Sequence, residues 1–232
     1  RAPLTVGIGA AVIAYGTQQL LLFPLAELDP IWWVFAGLAI TLTSADDAPI
    51  AQRRTVVPLV AAAVSALVLI VGVLDVAADR LARTALRAAD HDDAVDAADR
   101  AVSWRPDNMR YRLVATEAYL GRGSLADIDQ AVTHARRALE WSAKDPIAAD
   151  AVANALSQRA RTTGSTDDVA DALAEWQQMV DRDPHRASWQ LQLGRAAALA
   201  GDTERARRAW LVAADLGEPG AEELLAALDA SS

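Results

Sequence analysis

The chain has 232 residues, with 22 basic against 31 acidic side chains, a net charge of −9 and no cysteine. Disulfides and thiolate metal sites are thereby excluded, and a negative surface without a basic stripe argues against a nucleic-acid partner. Three basic and five acidic groups precede residue 76, leaving 19 and 26 in the remainder, so an apolar region, 1–75, precedes a charged one, 76–232.

Residues 4–23, LTVGIGAAVIAYGTQQLLLF, predict a first membrane span. Its polar notch, Thr17, Gln18 and Gln19, is costly against lipid and is expected to hydrogen-bond to other helices, with a place on a substrate path as the alternative. Residues 31–45 open on Trp32 and Trp33, which suit an interfacial belt, and at ~22 Å when helical they form a thin or tilted span. Residues 56–74 run 19 positions without a charge and give the strongest span, with Pro58 in a first turn where a missing N–H costs little. The loop bearing Arg53 and Arg54 is expected on the cytoplasmic side, which with three spans places everything after Leu74 outside. The chain begins at Arg1, within what reads as a membrane segment, and is expected to be the C-terminal piece of a longer multi-pass protein.

Tyr15, Gln18, Gln19, Phe23, Pro24, Trp33, Gly37 and Leu38 together resemble the end of the membrane region of actinobacterial O-antigen ligase and polymerase-like proteins. That resemblance implies a glycosyltransferase moving lipid-linked glycan onto an acceptor outside the cytoplasm. The family's catalytic arginines and histidine lie in an extracytoplasmic loop upstream. No position here matches them, so no catalytic residue is carried over, and no cofactor or metal is expected.

From Gly72 to Ala88 nothing breaks a helix, so the third span is expected to run directly into the first repeat helix. Beyond it, Ala94, Ala98 and Ala101 recur as Ala131, Ala135 and Ala138, then as Ala172, Trp176 and Met179, then as Ala206, Trp210 and Ala213. Their starts lie 37, 41 and 34 residues apart, with small insertions at GRGS and TTGST. Together with Leu193 and Gly194 upstream, the last set resembles a tetratricopeptide repeat (TPR), whose second helix presents small, large, small. Trp189 falls one place off that repeat's usual tryptophan and is not counted. Pro106, Pro146 and Pro184 stop the second helices. The expected fold is all-α: two to three transmembrane helices, then a right-handed TPR-like solenoid with repeats at about 76–106, 108–146, 147–184 and 187–219 and a capping helix at 220–230.

Asp92 and Asp93 read as first-turn acids of a helix rather than hard-ion ligands, since such sites need converging oxygens. His134 and His185 lack zinc or nucleophile spacing and read as surface residues, and Gly7 and Gly9 lie inside a span, not in a phosphate loop. Trp104, Trp141, Trp176 and Trp210 fall in or at the end of second helices and are expected in the core. Arg112, Thr116 and Tyr119 share one helix face, with Arg195 as their counterpart two repeats on. They are the candidate partner-binding surface on the concave side, against solvated decoration as the plainer reading. Two functions are thus expected in competition. The first is the C-terminal segment of a glycan ligase whose solenoid binds an acceptor or protein. The second is a non-catalytic, membrane-tethered scaffold for a protein or peptide.

Overall fold

The computed structural model describes residues 70–230, and over them nine helices follow one another. They are α1 (70–87), α2 (His91–Trp104), α3 (Met109–Arg122), α4 (Leu125–Trp141), α5 (Pro146–Thr163), α6 (Thr166–Arg182), α7 (Ala187–Leu199), α8 (Thr203–Asp215) and α9 (Ala221–Ala230). The described residues from 77 to 230 form one compact unit. From α2 to α9 each helix packs on the next, and α3 also packs on α5.

The expectation of two to three transmembrane helices ahead of the solenoid is corrected, and the multi-pass localisation with it. No helix of the described residues is long and apolar enough to cross a membrane. The spans expected at 4–23 and 31–45, the notch of Thr17, Gln18 and Gln19, and residues 56–69 of the third span lie outside the described residues. The remainder of that span, 70–74, lies within α1, which then carries Asp75, Asp79, Arg80, Arg83 and Arg87. Each such charge costs about 2.5 to 3.5 kcal/mol at the centre of a membrane helix, and α1 is packed on protein only from Ala78 onward. The outer placement of the repeats depended on those spans and loses its basis. α1 itself is unbroken through 75–80, as the absence of helix breakers predicts.

Boundaries follow from local chemistry. Asp90 caps α2, its side chain accepting from the amides of Asp92 (2.7 Å) and Asp93 (3.4 Å), so these acids do begin a helix. Asp145 accepts from the amides of Ile147 (2.8 Å) and Ala148 (3.1 Å), with Pro146 at the first helical position. The GRGS and TTGST segments each end a helix on a left-handed glycine, Gly123 (φ 76°) and Gly164 (φ 63°), a conformation side chains resist. After Gly123, Ser124 caps α4 while the Asp127 carboxylate takes hydrogen bonds from the Ser124 hydroxyl and the Arg122 guanidinium. The Arg122 hydrogen bond, then that of Ser124, hold the Asp127 carboxyl down at about 2.

All twelve positions of the four recurring sets are buried. Alanine lets the helices approach closely, while Trp176 and Trp210 fill the clusters they enter. α1 joins the same core through Ala78, Ala82 and Ala85, and its Asp79 pairs with Arg110 of α3 at 3.3 Å. Two of the four tryptophans expected inside are exposed, Trp104 by 44% and Trp141 by 61%. Each is the last residue of its helix, three positions beyond the final seam alanine, past the end of the packed interface.

Candidate binding surface

Of the four residues nominated from the sequence, three lie together on α3, with Thr116 and Tyr119 buried and Arg112 half-buried. The Arg112 Nε and Nη2 donate to the Pro106 carbonyl at 3.0 and 2.7 Å, which ties the start of α3 to the preceding loop. Thr116 is 1% exposed and its hydroxyl donates to the Arg112 carbonyl at 2.9 Å. Tyr119 is 9% exposed, and its hydroxyl donates to Asp99 of α2 at 2.8 Å. Burial, and then the bond to the Asp99 carboxylate, push that phenol up to about 12. Arg195 is exposed and stands apart from this group, on α7.

His134 of α4, read from the sequence as a surface residue, stacks on Tyr119 with ring centroids 5.5 Å apart, and its buried Nδ1 has no hydrogen-bond partner. Burial is the main force lowering its pKa; Arg112 lowers it further and Asp99 opposes. The folded chain therefore takes up this proton at lower pH than the unfolded chain, whose value is near 6.5. Stability contributed by neutral His134 is fully present above that value and is lost as pH falls through it. We expect the melting temperature to drop as the pH falls below about 6.5, and His134→Phe, which keeps the stack, to flatten that slope. Parallel pH profiles for the two proteins would refute the assignment.

A second polar knot joins α5 to α7. The Trp189 Nε1 donates to Asp150 at 3.2 Å, Asn154 donates to the other Asp150 oxygen at 2.9 Å, and the Arg186 guanidinium lies 4.3 Å from the Trp189 ring centre. Burial raises the Asp150 pKa, and these neighbours hold it back. Sequence reasoning set Trp189 aside for its register. Its available signal was chemical: a buried indole N–H needs an acceptor, and Asp150 lies one repeat upstream.

The surface cavity that Arg195 lines is formed by α5, α6 and α7, with a volume of about 230 Å³. α3 packs closely on α5, whereas α5 and α7 are joined through Asp150 and Trp189 near their starts, and a cleft opens beyond that junction over Val169 and Ala172 of α6. Its walls are Ser157 and Arg161 from α5, and Gln192, Arg195, Ala196 and Leu199 from α7. Ser157 is fixed, donating to the Ala153 carbonyl and accepting from the Trp176 indole, both at 2.8 Å. Such a mostly apolar cleft with polar groups at its margin suits an amphipathic occupant.

No family model matches the chain, and no curated protein matches it. Among solved structures it is similar to TTC0263, a thermophilic TPR protein of Thermus thermophilus. The two are 18% identical with a TM-score of 0.55, over 67% of this chain and 82% of that one. It is likewise similar to MamA (41-end) from Desulfovibrio magneticus, at 17% identity and a TM-score of 0.55 over 66% and 82%. Identities this low speak to fold alone. The helical array has the fold of a TPR domain.

Proposed function

We propose that the array is a protein-interaction scaffold that holds a polypeptide partner in the cleft between α5 and α7. The observation carrying this reading is that cleft: an apolar floor on α6, left open beyond the Asp150–Trp189 contact that joins α5 to α7, in a fold of the TPR type. Stacked hairpins provide extended surfaces of this kind, and their rigidity lowers the entropy lost on binding. Of the residues nominated from the sequence, Arg195 belongs to the proposed contact surface. Tyr119 supports it by holding α3 against α2 and α4, and Arg112 by tying α3 to the preceding loop. The glycan-ligase reading rests on residues 15–38, outside the described residues, and draws no support from any comparison.

Selection of a displayed library of mixed peptides on the full chain is expected to yield saturable binders. A photoreactive side chain in place of Gln192 should crosslink them, and one in place of the exposed Arg208 should not. A library that returns no saturable binder, or crosslinking independent of position, would remove the reading.

A further inference from the structure

The chemistry of the cleft specifies its occupant further, on the premise that the array is a scaffold. Arg161 rises from α5 and Arg195 from α7, so a guanidinium stands on each side of the apolar floor. Among the described residues neither forms an ion pair with a carboxylate, Arg161 donating only to Gln158 at 2.9 Å. Their neighbour Arg159, by contrast, pairs with Asp168 at 2.8 Å and Asp171 at 3.4 Å. A chain with net charge −9 has an abundance of acids, yet these two cations are left facing one opening.

The wall carrying Arg161 exists because α5 is long. It runs 18 residues, against 14 in α3 and 13 in α7, and Arg161 lies in its extra last turn before Gly164. The geometry points to a peptide segment that seats one aliphatic side chain on Val169, Ala172 and Leu199 and pairs acidic residues on both sides of it with Arg161 and Arg195. Two cations on opposite walls fit carboxylates before and after the seated residue. A single chain-terminal carboxylate would leave one wall unpaired. A Leu-sized side chain suits a shallow floor of this volume, and removing it from water supplies the attraction that exposed ion pairs alone lack.

Fluorescence anisotropy with end-blocked synthetic peptides on the full chain tests this. A peptide with Glu-Asp before and Asp-Glu after a leucine is expected to bind, and binding should weaken with added salt. Replacing that leucine by glycine, or the acids by lysines, should abolish it. Arg161→Glu and Arg195→Glu should each weaken it by about tenfold or more, since each puts like charges face to face. Both arginines are exposed, so unchanged thermal melts are expected and separate lost contact from lost fold. Equal binding of the glycine peptide, or of a neutral peptide with a free carboxyl end, would overturn the inference. So would self-association of the chain that both charge reversals abolish, which would make a second copy the occupant. If library-selected peptides crosslink at Gln192 but ignore both reversals, this inference fails while the scaffold reading stands.

Discussion

Trp176→Ala is expected to lower the stability of the chain by about 3 to 5 kcal/mol, the range for removing a large buried aromatic side chain. Trp176 is completely buried, packed with Met179, Val180, Trp189 and Leu193, and its indole N–H donates to Ser157 at 2.8 Å. Truncation leaves a cavity between α5, α6 and α7 and strips the Ser157 oxygen of its buried donor. At roughly 2 to 4 °C per kcal/mol for a unit of this size, the melting temperature should fall by on the order of 10 °C. Trp176→Phe retains most of the packing and loses the donor, so its cost should be nearer 1 to 2 kcal/mol, roughly that of one unsatisfied buried group. Thermal and urea unfolding followed by circular dichroism measure both. A loss below about 1 kcal/mol for the alanine variant would mean that the seam re-closes and that Trp176 does not set its width.

Gly194→Ala is the second large effect, and its sign is the informative part. In the interior of a helix alanine is favoured over glycine by about 1 kcal/mol, so an open site would be stabilised. Here the added Cβ would collide with the Trp210 indole at Nε1, Cδ1 and Cε2. That ring is itself pinned, buried at 4% exposure with Nε1 donating to the Leu191 carbonyl at 3.2 Å. Separating α7 from α8 to admit the methyl should give a net loss of about 1 to 3 kcal/mol. Trp210→Leu removes the obstacle at its own cost, and on that background Gly194→Ala should become neutral or favourable. Strict additivity of the two substitutions would show that the glycine is not there to admit the indole.

The seams could be read in advance because small residues at fixed spacing have one mechanical meaning: two backbones must come close. Ala94, Ala98 and Ala101 and their three successors needed no further context. Leu193 and Gly194 were readable through the resemblance to the repeat, though only the structure reveals which ring occupies the space the glycine leaves. The tryptophans were half legible, because residue type does not say where a helix stops. Trp176 and Trp210 lie within a seam, and Trp104 and Trp141 lie one turn beyond it. His134 was misjudged and Trp189 left uncounted, since their partners Tyr119 and Asp150 stand 15 and 39 residues upstream and only folding brings them together. The cleft was illegible for a related reason. It arises because α5 and α7 pack less closely than α3 and α5, and from an extra turn of α5, features of how helices are set rather than of any motif. The charges of α1 were visible all along, and the long apolar stretch before Asp75 drew the reading toward lipid.

Every substantial helix contact from α2 to α9 joins a helix to the next one or, for α3 and α5, to the next but one. Nothing near the start of the array therefore dictates what stands near its end. A gene duplication that inserts one more hairpin would have to seal a single new joint, with the remaining ones left as they are. The number of hairpins is in this sense a heritable dial, turned without redrawing the architecture, and a cleft like that between α5 and α7 can be moved along the array by the same means.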